Sequence, residues 1–241
     1  MPSHPLLAAP LLLALALQPA PKTAAPTDAG SQKAGARPAT AENEVGWTSL
    51  FNGKDLTGWK ISDPASFKVE DGAIVANGAA SHAYYDGAFR DHTFRNFELK
   101  LDVMTRPNSN GGVYVLTQFE EKGGNARASG NFPSKGFEIQ VNNSYARDQV
   151  KTGSLYHVQD VTESPVKHDE WFTVHVIVKD LTITVNVNDQ QVVTWTQPAD
   201  WNGGREGPGR VIGAAGGTIA LQAHDPNSAV FYKNIRIKPL D

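Results

Sequence analysis

The stretch Gly136-Phe137-Glu138-Ile139-Gln140-Val141-Asn142-Asn143 carries hydrophilic side chains at every second position. At the period of a β-strand, Phe137, Ile139 and Val141 point to one side, and Glu138, Gln140 and Asn142 point to the other. A carboxylate followed by two amides offers donors and acceptors at fixed spacing, which suits a polyhydroxylated ligand. The row is expected to floor a sugar-binding groove. A second stretch, Leu221-Gln222-Ala223-His224, repeats the pattern with Gln222 and His224 on its polar side. If both strands bury their apolar sets in one sandwich, both polar sets face a common hollow. Glu138 and His224 are then candidates for an acid/base pair, each tuning the other toward neutral pH. Gln140, Gln222, Asn110 and Tyr156 are the candidates to orient sugar hydroxyls or a carbonyl.

Other chemistries lack their parts. There is no GxSxG elbow and no phosphate-binding loop, which argues against a serine hydrolase and a nucleotide enzyme. His82, His92, His157, His168 and His175 are dispersed and no HExxH is present. Spacing therefore points to no metal, while leaving open a divalent cation held by Asp, Glu and carbonyl oxygens.

The elements that would position these residues are short. Phe97-Glu98-Leu99-Lys100-Leu101-Asp102-Val103 alternates cleanly as a strand. Phe67 to Ala76 reads as a hairpin turning at Asp71-Gly72, and Gly111 to Gln118 as a strand whose two leading glycines allow close approach. Ser81 to Asn96 reads as an irregular polar loop, and Glu120 to Lys135 as a Gly- and Asn-rich loop overhanging the groove. Trp171 to Lys179, Leu181 to Val187 and Gln191 to Thr196 form strands, Trp201 to Arg210 a Gly/Pro loop, and Thr218 to His224 and Val230 to Lys238 the closing strands. About a dozen short strands in roughly 195 residues, with no long amphipathic helix and no repeat, predict an all-β two-sheet jelly-roll sandwich.

The chain has 241 residues, a net charge of -3 and no cysteine. The small charge and the absence of a basic face argue against nucleic acid as a partner, and disulfides and thiol chemistry are excluded. Leu6 to Leu17 is a Leu/Ala run broken by Pro10, too short to span a membrane comfortably and suited to a signal-peptide core. Residues 1–25 read as a signal peptide, 26–44 as a disordered Ala/Pro-rich linker and 45–241 as the folded domain. Export to the periplasm or beyond is expected, with no membrane association after cleavage.

Several motifs, in order, resemble the 3-keto-disaccharide hydrolase domain family. They are Ser49-Leu50-Phe51-Asn52-Gly53-Lys54-Asp55-Leu56-Thr57-Gly58-Trp59, Phe97-Glu98-Leu99, Gly136-Phe137-Glu138-Ile139-Gln140, Thr152-Gly153-Ser154-Leu155-Tyr156, Glu170-Trp171, Leu221-Gln222-Ala223-His224 and Asn234-Ile235-Arg236-Ile237-Lys238. The resemblance implies a concanavalin A-like jelly roll that cleaves glycosides carrying a 3-keto group made beforehand by a separate sugar oxidoreductase. It departs from the family at Asn110-Gly111-Gly112, at Leu116, which stands near a family Arg, and at Tyr232-Lys233-Asn234. Glucanases of similar fold use a Glu-x-Asp-x-x-Glu strand. The matching run here, Glu138 to Asn143, keeps one carboxylate, so two-carboxylate glycoside hydrolysis is disfavoured. The alternative to an enzyme is a non-catalytic carbohydrate-binding module.

Overall fold

The computed structural model describes residues 45–120 and 132–241. The expected signal peptide and linker, and most of the overhanging loop at 120–135, lie outside the described residues. Among the described residues the strands are β1 (Thr48–Ser49), β2 (Trp59–Ile61), β3 (Phe67–Glu70), β4 (Ala73–Ala76), β5 (Ser81–Tyr85), β6 (Phe97–Thr105), β7 (Gly111–Thr117), β8 (Phe137–Val141), β9 (Phe172–Lys179), β10 (Thr182–Val187), β11 (Gln190–Thr196), β12 (Thr218–Ala223) and β13 (Val230–Pro239). Helical structure among them is limited to three 3-10 turns.

The strands form a two-sheet jelly-roll sandwich. One sheet runs β11-β10-β9-β6-β13-β4-β3, with β1 also on β13; the other runs β2-β5-β12-β7-β8. Alternation builds the core between them. In β6, Phe97, Leu99, Leu101 and Val103 are fully buried while the residues between them are half-buried on the outer face. β9 does the same with Phe172, Val174, Val176 and Val178. The facing sheet contributes Val113, Val115, Phe137, Ile139, Ile219 and Leu221 to the same apolar cluster.

Turn chemistry follows the residues. Asp71 and Gly72 sit at φ 48° and 74°, and Asn188 and Asp189 at φ 49° and 64°, as tight hairpins require. In β13 the inward parity changes from Val230 and Tyr232 to Ile235 and Ile237. The register to β6 shifts between Lys233 and Arg236, with Asn234 at φ 52°. A β-bulge absorbs the extra residue there.

One expectation is corrected. Ser81 to Asn96 begins with a strand, β5, rather than an irregular loop, and every residue of β5 is buried. Ala83 and Tyr85 face the sandwich core. Tyr84 packs with Tyr114 and Ala220 in a separate cluster on the other face. The five-stranded sheet is thus covered on both sides, which hides the alternation of polarity that marks a half-exposed strand.

Leu101 is fully buried at the centre of β6. Leu101→Ala is expected to lower the unfolding free energy by roughly 2–5 kcal/mol, measured by urea unfolding followed by tryptophan fluorescence.

Candidate active site

The outer face of the five-stranded sheet floors a cavity of about 560 Å³, within the usual range for small-ligand sites. All six residues singled out from the sequence line it: Asn110, Glu138, Gln140, Tyr156, Gln222 and His224. Antiparallel pairing brings them together. Tyr114 of β7 faces Glu138 of β8, and Gly112 faces Gln140. On the other side of β7, Leu221 of β12 faces Val113, which carries Gln222 to the level of Gly112.

Gly112 makes the central arrangement possible. A Cβ at that position would run into the carboxyl of Glu138, so the missing side chain is the space into which the carboxyl leans. There Tyr114 OH donates to Glu138 Oε2 at 2.7 Å and Gln222 Nε2 donates to Glu138 Oε1 at 3.1 Å. Glu138 is only 7% exposed. Burial, the largest influence, pushes its carboxyl from the ordinary 4.5 up to about 7, against the pull of the Tyr114 hydrogen bond and the Arg210 charge. Burial also raises the Tyr114 hydroxyl well above its usual value, so it stays a donor.

The row along β8 is enclosed rather than solvated. Asn142 is fully buried and is absent from the cavity wall. Its Nδ2 donates to the carbonyls of Asp148 and Val150, and its Oδ1 accepts from the Tyr145 N–H, so it holds the loop after β8 in place. That loop brings Asp148 to the cavity, where its Oδ2 accepts from Tyr156 OH at 3.1 Å and from Gln140 Nε2 at 3.3 Å. The next segment runs along the free edge of β8: Gln140 N–H donates to Ser154 O, Gly153 N–H to Gln140 O, and Tyr156 N–H to Glu138 O. This pairing covers an open edge and positions Tyr156.

His224 follows the end of β12, and its Nδ1 pairs with Asp225 Oδ2 at 2.8 Å. The expectation that Glu138 and His224 tune each other is therefore corrected. They line one cavity, but burial, Tyr114 and Arg210 lead the influences on Glu138, and the carboxylate bonded to His224 belongs to Asp225.

Loops supply further groups that strand periodicity does not reveal. Arg210, 4% exposed, donates from Nη1 to the Gly136 carbonyl at 2.8 Å and lies 5.4 Å from the Tyr114 ring centroid. A guanidinium thus reaches the site from the loop before β12. Glu206, from the turn Gly204–Glu206, pairs with His157 Nδ1 at 2.6 Å. The cavity thereby holds more carboxylates than β8 alone displays, each engaged by a partner. Tyr114 was within reach of sequence reasoning, since it shares strand parity with Gly112; Asp148, His157, Glu206 and Arg210 sit on irregular loops with no such signal.

Among the described residues, three buried amide oxygens in this cavity have no hydrogen-bond donor: Asn110 Oδ1, Gln140 Oε1 and Gln222 Oε1. The Nε2 groups of Gln140 and Gln222 face carboxylates, which fixes the oxygens as the unmet atoms. Buried acceptors of this kind are costly unless a ligand or water completes them. Among the described residues no group of three or more His, Cys, Asp or Glu is arranged to hold a metal ion.

The sequence profile of a family described as the 3-keto-alpha-glucoside-1,2-lyase-like domain matches residues 46–238. A 3-keto-disaccharide hydrolase of Bacteroides thetaiotaomicron is 26% identical, the match covering 81% of this chain and 79% of that protein. A crystal structure of a candidate glycosyl hydrolase from Parabacteroides distasonis superposes with a TM-score of 0.66 at 27% identity, covering 81% of this chain and 94% of the other. A second such structure from the same organism shares the fold at a TM-score of 0.59 and 22% identity, covering 80% and 99%.

The raised Glu138 pKa has a consequence for stability. Between about pH 4.5 and 7 the folded protein holds a proton that the unfolded chain has released. The contribution of this group is fully present below the unfolded value and is lost as pH rises through the folded one. Relative to Glu138→Gln, the wild type is expected to lose on the order of 3 kcal/mol across that window, read from urea unfolding at a series of pH values.

Proposed function

The chain belongs to the 3-keto-alpha-glucoside-1,2-lyase-like domain family, and from that membership we propose that it cleaves glycosidic bonds in 3-keto-glycosides by elimination and hydration. A ketone at C3 acidifies the proton on C2. A base removes that proton, the enolate expels the C1 substituent, and water adds back at C1. The reaction needs a base, an acid for the leaving oxygen and a partner for the enolate oxygen, and it needs no nucleophilic side chain.

The observation that carries this reading is one buried carboxyl, poised near neutrality, facing the same cavity as three amide oxygens without donors. Glu138 is the base: Tyr114 and Gln222 hold its carboxyl, and its pKa allows it to accept a proton at neutral pH and return it. Asn110, Gln140 and Gln222 accept hydrogen bonds from sugar hydroxyls, and Tyr156 borders the same space. His224, oriented by Asp225, gives its proton to the departing oxygen and takes one from the incoming water. The ketone comes from a separate sugar oxidoreductase, and residues 1–25 direct the protein out of the cytoplasm.

Aglycone release from a 3-keto-glucoside tests the assignment. The wild type is expected to turn over, with kcat/KM rising as pH increases through about 7, where Glu138 loses its proton. Glu138→Gln and His224→Ala are each expected to lose roughly 10²–10⁴-fold in kcat. Wild-type rates in either variant would remove that residue from the mechanism. Glycan binding without turnover of any keto-sugar would select a carbohydrate-binding module instead.

A further inference from the structure

We propose that His157, held by Glu206, is the donor that receives negative charge on the C3 oxygen of the sugar when Glu138 removes the C2 proton. The inference rests on the reading of the cavity as a 3-keto-glycoside site, in which the base and the leaving-group acid are assigned above and the partner of the enolate oxygen is not.

His157 lines the cavity with Glu138, and three contacts fix it. Its Nδ1 lies 2.6 Å from Glu206 Oε1. Its ring lies against that of Tyr156, with centroids 3.9 Å apart and the planes tilted by 30°. Its backbone N–H donates to Asp160 Oδ1 at 2.8 Å. The preceding residue, Tyr156, is bonded through its backbone to the backbone of Glu138 at 2.9 Å, so the histidine is referenced to the strand that carries the base. The backbone of His157 is left-handed, at φ 57°.

With Nδ1 committed to Glu206, Nε2 is the nitrogen left for substrate. Since Nδ1 already faces a carboxylate, Nε2 donates to the substrate only when the ring carries a proton on both nitrogens, so the role requires the imidazolium form. A donor fixed before the reaction is what a developing oxyanion requires, because no reorganisation is needed as charge appears. Exposure separates the two histidine–carboxylate pairs of this cavity. The His157 and Glu206 side chains are 13% and 11% exposed, those of His224 and Asp225 26% and 24%. The more open pair suits exchange of leaving group and water; the more enclosed pair suits an electrostatic role in a site from which water is withdrawn.

Electrons and protons balance without a co-reactant. Glu138 takes the C2 proton, and the C–H pair becomes the C2–C3 double bond as the carbonyl pair moves onto oxygen, where His157 donates. The pair then returns, re-forming the ketone and a C1–C2 double bond as the C1–O bond breaks. His224 protonates the departing oxygen. Water adds to C1 by the reverse sequence, again through an enolate facing His157, and Glu138 returns the proton to C2.

The test follows C2–H exchange into deuterium oxide and aglycone release on one 3-keto-glucoside, by proton NMR. His157→Asn is the primary variant, because Asn tolerates positive φ; His157→Gln, with thermal unfolding and near-ultraviolet circular dichroism, controls for folding. Both variants are expected to lose roughly 10²–10³-fold in exchange and in release together. Glu206→Gln, a change at a positioning residue, is expected to lower kcat roughly tenfold with KM unchanged. Wild-type exchange in a folded His157→Asn protein would overturn the proposal, and if release alone fell it would move His157 to the leaving group. A wild type showing neither exchange nor release would reject the site reading itself, and this proposal with it. Loss in Glu138→Gln with full activity in His157→Asn would reject this proposal alone.

Discussion

A carboxyl group withdrawn from water is the constraint around which this molecule is arranged. Glu138 sits on a β-strand within a sheet, close against the glycine at position 112, with a tyrosine hydroxyl and a glutamine amide as its donors. An unpaired buried carboxylate would be too costly to keep ionised. Two hydrogen bonds and the nearby Arg210 guanidinium reduce that cost, and burial still prevails, leaving the group between its two protonation states near neutral pH. A group in that condition can take up a proton and give it back, which a surface glutamate does poorly at the same pH.

Holding such a group requires a sheet covered on both faces. The sandwich supplies one cover through Phe137, Ile139, Val113 and Leu221. The other is made by loops. Asn142 pins the segment that carries Asp148, and residues 152–156 line the open edge of β8. The turn through Gly204–Glu206 is tied down by Trp201, whose Nε1 donates to the Arg210 carbonyl at 2.6 Å. Enclosure is what lets weak polar contacts act strongly: inside a low-dielectric pocket a few fixed donors influence reacting charge far more than they would in water.

The legible part of the sequence was the part with a period. β6, β9, the hairpins at Asp71-Gly72 and Asn188-Asp189, and the polar parity of Glu138, Gln140 and Gln222 all follow from alternation and turn chemistry. In β13 alternation left open whether Tyr232 or Phe231 faces inward, and the bulge near Asn234 is what places Tyr232 inside. What remained hidden has a common physical cause. β5 was obscured because His82 and Tyr84 are buried as completely as Ala83 and Tyr85, so no exposed face marks it. Asn142 shares the parity of Glu138, yet its side chain is spent on a loop that periodicity cannot place. Asp148, His157, Glu206 and Arg210 reach the cavity through long-range contacts made by irregular backbone, which no local pattern encodes.

The most direct measurement of the central claim is the titration of Glu138 itself. Protein carrying carbonyl-labelled glutamate, followed by carbon-13 NMR from acid to alkaline pH, should show one carboxyl with an apparent pKa of about 7 that vanishes in Glu138→Gln. A Glu138 resonance titrating near the ordinary 4.5 would contradict the account, because the carboxyl would then be an exposed anion rather than a base held in reserve.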